Sequence, residues 1–152
     1  MARTLWRISR YPGVTGEGGL YVDGRWHTKG HRIIYAAEHP ALALIETMAH
    51  LDLSIDEIPD DLKLCRLEVA DVADLAFRKT LPDGWQSNEL MSRKVGDAWL
   101  ASLSHPLFEV PSAILPHSMN VLINPDHPVV QGLTTVQQVS VEDIWIDKRF
   151  IR

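Results

Sequence analysis

The sequence of 152 residues predicts an α+β domain. Three observations predict it. Short apolar runs bounded by Gly, Pro, Asn and Asp recur along the chain, two longer stretches carry helical spacing, and the two kinds do not alternate in a βαβ rhythm. An apolar content of 45% supplies one core without disulfides or metal staples. No repeat or low-complexity segment divides the chain, so residues 1–152 are read as a single domain.

In order, Leu5–Ser9 reads as a first strand, followed by Pro12-Gly13-Val14-Thr15-Gly16-Glu17-Gly18-Gly19, a loop too glycine-dense for regular structure and read as mobile. A turn at Asp23-Gly24-Arg25-Trp26 leads to a buried strand over Arg32–Ala36. Pro40 suits the first turn of a helix, and Leu42, Leu44, Ile45, Met48 and Ala49 recur at helical spacings through Leu51, leaving a polar edge that carries Glu46. Residues 52–61 form an acidic loop, and Leu62–Val69 alternates apolar with polar as a half-buried strand does. Pro82-Asp83-Gly84 makes a turn. Ser87 is the expected N-cap of a helix containing Leu90, Val95, Trp99, Leu100 and Leu103, stopped by Ser104-His105-Pro106. Strands at Ala113–Leu115, Asn120–Ile123 and Ser140–Ile146, with a turn at residues 124–128, complete the reading.

Charge narrows the functions. Fifteen Lys and Arg against 20 Asp and Glu give a net charge of −5, which does not favour capture of nucleic acid or an anionic membrane. The charge is split: residues 1–50 carry six bases and four acids, residues 51–152 nine bases and sixteen acids. The lone Cys65 falls in an alternating strand and reads as a small core hydrophobe in a reducing, cytoplasmic setting. The start has no apolar run of signal-peptide length, and nothing approaches a bilayer span. Seven histidines form no HExxH or C/H cluster, so no metal is expected. No P-loop is present, because the glycine-rich stretch opens no helix, and Val110-Pro111-Ser112-Ala113 lacks a GxSxG elbow.

What remains is a set of polar residues beside predicted strands and a helix. Arg25 sits in a turn, where its guanidinium offers a planar fork to phosphate or carboxylate; a surface arginine paired with an acid is the plainer alternative. Tyr35 reads equally as a core aromatic with a satisfied hydroxyl. Glu46 is the only acid in an otherwise apolar helix, where a buried carboxylate needs a partner, and a solvent-facing glutamate is the competing reading. Arg7, between Trp6 and Ile8, carries the same ambiguity, and Ser112 is a hydrogen-bonding residue. From residue types alone the reading stops at an α+β domain with an anion pocket.

Read in order, these residues resemble the RES domain, the toxin component of Xre–RES toxin–antitoxin pairs, named for its Arg, Glu and Ser positions. The resemblance rests on Leu5-Trp6-Arg7-Ile8, Gly24-Arg25-Trp26 followed by Gly30, Ile34-Tyr35-Ala36, Ala41-Leu42-Ala43-Leu44-Ile45-Glu46, Pro111-Ser112, Asn120-Val121-Leu122-Ile123-Asn124-Pro125-Asp126-His127-Pro128 and Asp147-Lys148-Arg149-Phe150. Ile8 stands where many relatives carry an aromatic, and His27 where the family often has Asn.

The resemblance implies an ADP-ribosyltransferase-like fold, with small β-sheets framing an NAD cleft and helices flanking it. It implies NAD as substrate without a metal, and cleavage of the nicotinamide–ribose bond through an oxocarbenium-like transition state. By transfer from the family, Arg25, Glu46 and Ser112 are the catalytic residues. Arg7, Arg25, Tyr35, Glu46, Ser112 and Asn124 hold the dinucleotide. Arg7 and Arg25 serve its phosphates or ribose, Tyr35 packs at the nicotinamide ribose, Ser112 orients the nicotinamide half, and Glu46 stabilises the developing charge or holds the ribose hydroxyls. The acceptor stays open between water or phosphate, giving a glycohydrolase or phosphorylase, and a protein, giving a mono-ADP-ribosyltransferase; a non-catalytic binding module is the third alternative. The implied partner is an Xre-family helix-turn-helix antitoxin that covers or fills the cleft. The toxin is expected to form a homodimer within the larger complex and to bind neither nucleic acid nor membrane directly.

Overall fold

The computed structural model describes residues 3–51, 59–70, 75–131, 135–147 and 149. Along the chain come β1 (Arg3–Ser9), a 3-10 turn (Glu17–Leu20), β2 (Ile34–Ala37), α1 (Pro40–Leu51), β3 (Lys63–Val69) and β4 (Ala76–Phe77). A second 3-10 turn (Trp85–Ser87), α2 (Glu89–Ser102), β5 (Leu107–Pro111), β6 (Met119–Ile123) and β7 (Val136–Asp143) follow. The fold is α+β.

The strands are ordered β4-β5-β6-β2-β1-β3-β7, and every neighbouring pair is antiparallel except β4 and β5. β1 and β3 stay in register from Arg3↔Val69 to Ser9↔Lys63, whereas β1 and β2 meet at the pair Trp6↔Ala37. The sheet is therefore two small ladders, β4-β5-β6-β2 and β1-β3-β7, joined at a narrow seam.

One face buries Leu5, Ile34, Ala36, Leu67, Val69, Leu107, Val121 and Ile123. On the other, α2 covers a cluster of Trp26, Trp85, Trp99, Leu100, Phe108, Val110 and Leu122. There too, α1 lays Leu42 and Ala43 on Ala37, Trp6 and Ile8. Each of the larger of these side chains contributes about 1.5–3 kcal/mol of transfer free energy when buried. Cys65 is fully buried, as a small core hydrophobe would be.

α1 starts where Pro40 predicts, because a first-turn proline loses no helical hydrogen bond. His39 caps it, its Nδ1 accepting from the Ala41 amide at 3.0 Å. For α2 the cap is Asn88 rather than Ser87. Ser87 closes the preceding 3-10 turn, so the extended residue before the helix is Asn88, whose side chain accepts from the Met91 amide at 3.1 Å. The expected strand at Ala113–Leu115 is instead a turn: Ser112 Oγ accepts the amides of Ile114 and Leu115, both at 3.1 Å, and bends the chain directly after β5.

β5 itself escapes the sequence reading, since Glu109 interrupts its apolar run. β4 is likewise absent from that reading, and the last strand begins earlier and ends sooner than Ser140–Ile146. The glycine-rich stretch is partly fixed. Gly16 accepts amides from Gly19 and Ile33, both at 3.3 Å, and Gly19 is buried. Most of the expected acidic loop at 52–61 lies outside the described residues.

Glu109 is only 6% exposed at its side chain, and Arg3 Nη1 and Arg78 Nε each donate to it at 2.5 Å. The Arg3 bond ties β1 in one ladder to β5 in the other. Burial pushes the Glu109 carboxyl up, but the hydrogen bonds and charges of Arg3 and Arg78 together outweigh it and leave it below the ordinary glutamate value of 4.5. A folded-state pKa below the unfolded one stabilises fully above the unfolded value and loses that stabilisation as pH falls through the folded value. Thermal melts of the wild type should therefore weaken below about pH 4.5. Glu109→Gln should cost about 1–3 kcal/mol at pH 7 and flatten part of that acid slope. An unchanged slope would remove Glu109 from the acid response.

Candidate active site

The site is built on the α2-covered face of the β4-β5-β6-β2 ladder. Register pairs Tyr35 of β2 with Leu122 of β6, and Ala37 with Asn120. Paired residues share a face, so Tyr35 and Asn120 are diagonal neighbours on it, about 7–8 Å apart. α1 lies beside this face through Leu42 and Ala43, and brings Glu46, half-buried, to its edge.

There Glu46 meets two donors. Ser112 Oγ, just beyond β5, donates to Glu46 Oε1 at 2.6 Å, and Asn120 Nδ2 donates to the same oxygen at 2.9 Å. Both bonds end on Oε1, and among the described residues Oε2 has no hydrogen-bond partner. Ser112 is held in turn by the two amides it accepts, so its proton has one direction left, toward the carboxylate. The carboxylate is thereby fixed through one oxygen with the other open, an arrangement suited to accepting a hydroxyl or facing a developing cation.

A second hydrogen-bonded chain lies along the same face. The Trp26 amide donates to Tyr35 Oη at 3.1 Å, and Tyr35 Oη lies 2.7 Å from His27 Nδ1. His27 Nε2 faces the Gly19 carbonyl at 3.2 Å. A carbonyl only accepts, so Nε2 carries the proton, Nδ1 accepts, and Tyr35 donates its hydroxyl hydrogen to it. Burial lowers the His27 pKa against the opposing backbone hydrogen bonds, which keeps the ring neutral. Burial likewise pushes the Tyr35 phenol up, so it stays protonated. A Cβ at residue 24 would stand 2.3 Å from Tyr35 Oη and 2.6 Å from His27 Nδ1, so only glycine lets the loop close over this pair.

That loop delivers Arg25. Its guanidinium lies 5.4 Å over the Trp85 ring, donates to the carbonyls of Gln86 and, at 3.5 Å, Trp85, and stands 3.6 Å from Glu89 Oε1. Its Nε is buried and, among the described residues, has no hydrogen-bond partner. The plainer alternatives thus describe the contacts of two residues: Arg25 is paired with an acid, and Tyr35 is a core aromatic with a satisfied hydroxyl.

The structure joins Glu46 directly to Ser112 and ties Tyr35 to the Trp26 amide in the loop that carries Arg25, both on one face of the sheet, while Arg7 and Asn124 lie elsewhere. Arg7 is in register with Cys65, on the face opposite Trp6 and α1. Its guanidinium donates to the carbonyls of Gly13 at 2.5 Å and Tyr11 at 3.4 Å, and burial lowers its pKa against the opposing influence of Cys65. Asn124 is buried past the far end of β6, its amide nitrogen on the Leu100 carbonyl at 3.3 Å and its oxygen accepting from Asp126 at 3.0 Å. Two residues of the region, Asn120 and His27, are not among the site residues that the sequence predicts. A polar residue opening the apolar strand Asn120–Ile123 was the available signal for the first; the second declares itself only through Tyr35. Among the described residues no group of three or more His, Cys, Asp or Glu is placed to hold a metal ion.

Residues 4–147 match the RES domain. A protein of Pseudomonas putida named Toxin Res is 39% identical over 145 residues, covering 95% of this chain and 97% of the relative. A Sphingobium protein named Prs ADP-ribosylating toxin is 34% identical, covering 88% and 89%. The fold is similar to a chain in the crystal structure of the M. tuberculosis MbcT–MbcA toxin–antitoxin complex, with a TM-score of 0.75 over 95% of this chain and 85% of that one at 16% identity. With the family match running through both ladders and both helices, the chain belongs to the RES domain family.

Proposed function

We propose that this protein is the toxin of a toxin–antitoxin pair and consumes NAD by breaking the bond between nicotinamide and ribose. The observation that carries the reading is the Glu46 carboxylate, fixed through Oε1 by Ser112 and Asn120 with Oε2 open. As the C1′–N bond breaks, its electron pair leaves with neutral nicotinamide and positive charge develops on the ribose. A preorganised carboxylate at that point stabilises the transition state more than the ground state. Arg25, on the same side of the sheet, supplies a cation for the pyrophosphate, and the Tyr35–His27 pair gives the ribose end a rigid neutral wall. The acceptor then adds at C1′ and releases a proton.

Water or phosphate as acceptor gives a glycohydrolase or phosphorylase and depletes the cell of NAD. A second reading, transfer of ADP-ribose to a protein, is favoured by the name of the Sphingobium relative. Purified protein incubated with labelled NAD, with and without phosphate and cell lysate, separates them. Free ADP-ribose supports hydrolysis, its phosphorylated form supports phosphorolysis, and label retained on protein supports transfer. NAD bound but intact in every arm would overturn the enzyme reading in favour of a binding module.

The partner proposed is an Xre-family helix-turn-helix antitoxin that covers or fills the cleft, with the toxin as a homodimer in a cytoplasmic complex. The resemblance of fold to a toxin from a toxin–antitoxin complex supports an antitoxin partner. The net charge of −5 leaves DNA contact to that antitoxin. Among the described residues no helix is long and apolar enough to cross a membrane.

A further inference from the structure

We infer that Asn120 is a positioning residue of this site, acting through Glu46: with Ser112 it pins Oε1 and so presents Oε2 to the substrate. The inference rests on the reading of Glu46 as the charge-stabilising group. Asn120 sits on β6, paired with Ala37 on one side and Val110 on the other. Both neighbours are buried and apolar and Asn120 itself is half-buried, so its amide gains from a polar partner within the fold. Its partner is Glu46 Oε1 at 2.9 Å. A carboxylate oxygen accepts only, so the amide must turn its NH2 toward Glu46, and the orientation follows from chemistry.

Two donors from different elements then converge on one oxygen. Ser112 approaches from the turn after β5 and Asn120 from the strand beside it. A single donor leaves a carboxylate free to rotate about its terminal torsion and exchange its two oxygens. Two donors on one oxygen define which oxygen is spent on the protein and which is left open to a ligand. Because β6 is paired on both sides, Asn120 is the more rigid of the two anchors.

The test uses Asn120→Leu and Asn120→Asp in the full-length protein. Leucine removes the donor from an apolar row, so the melting temperature should hold or rise while kcat for NAD consumption falls about 10- to 100-fold with KM within about twofold. Aspartate keeps the shape but sets a second carboxylate against Oε1, and should lower kcat further. Should leucine disturb the fold, the near-isosteric aspartate still decides. Retained kcat in both variants, or a raised KM with kcat intact, overturns the inference.

Growth arrest on expression is scored in parallel. A wild type that arrests growth without consuming NAD defeats the NAD reading, and Asn120 is then judged on loss of arrest. Independently of any activity, the side-chain amide protons of Asn120 in NMR spectra should shift when Glu46 is replaced by Ala. Unmoved resonances overturn the anchor itself.

Discussion

Glu46→Gln is expected to cut NAD turnover by about 10²- to 10³-fold and to abolish growth arrest, with the melting temperature close to that of the wild type. Glutamine keeps the shape, and its side-chain oxygen still accepts from Ser112 and Asn120, which now donate at 2.6 and 2.9 Å. What it lacks is the charge. A unit charge about 4 Å from a developing cation at an effective dielectric near 20 is worth roughly 4 kcal/mol, and up to that much transition-state stabilisation is lost in the substitution, which raises the barrier.

Glu46→Ala makes a poorer probe. It strands the Ser112 hydroxyl and the Asn120 amide without an acceptor, adding a folding cost of about 1–3 kcal/mol to the catalytic one. The measurement is steady-state NAD consumption by purified Gln variant alongside its thermal melt. A folded Gln variant with wild-type turnover removes Glu46 from the chemistry.

How much of this was legible beforehand differs by element, for physical reasons. α1 was readable to the residue because a proline start and an apolar stripe are local signals. β3 was readable because period-two alternation is local too. β5 was not, because Glu109 looks like a surface residue until Arg3, far away in sequence, is seen to neutralise it. The site divides the same way. Arg25, Tyr35, Glu46 and Ser112 were found in order along the chain, but which face each occupies depends on register, and register is a property of pairs of strands.

Arg7 illustrates the point. One residue from Trp6 in sequence, it lies on the opposite face of the sheet. Asn120 and Asn124 stand in one short string, yet four residue steps along extended chain set them about 13 Å apart, and it is Asn120 that touches Glu46. His27 looked like a departure at the edge of a motif. Its role follows from accepting the Tyr35 hydroxyl, a contact no spacing encodes.

Gly96→Ala should destabilise the protein, contrary to what the same change does in most helices. In an open helix interior it reduces unfolded-chain entropy and gains about 1 kcal/mol. Here a Cβ at residue 96 would stand 1.6 Å from the Trp26 carbonyl oxygen and 2.7 Å from its carbon, both backbone atoms that no rotamer change relieves. α2 and the loop at residues 24–28 must therefore separate, and they are fastened at several points. Ser92 Oγ donates to the Arg25 carbonyl at 2.6 Å, Arg93 Nε to the Gly24 carbonyl at 2.8 Å, and the Thr28 amide to Asp97 at 2.8 Å. Separation also loosens Trp99 and Leu100, which α2 buries in the core. Overpacking of this kind costs about 1–3 kcal/mol or more, and a domain of this size loses roughly 2–4 °C in melting temperature per kcal/mol. The same displacement moves Arg25 and withdraws the Trp26 amide from Tyr35, so turnover should fall together with stability. A Gly96→Ala variant that melts at or above the wild-type temperature would mean that α2 does not press on this loop, and the frame holding Arg25 would have to be sought elsewhere.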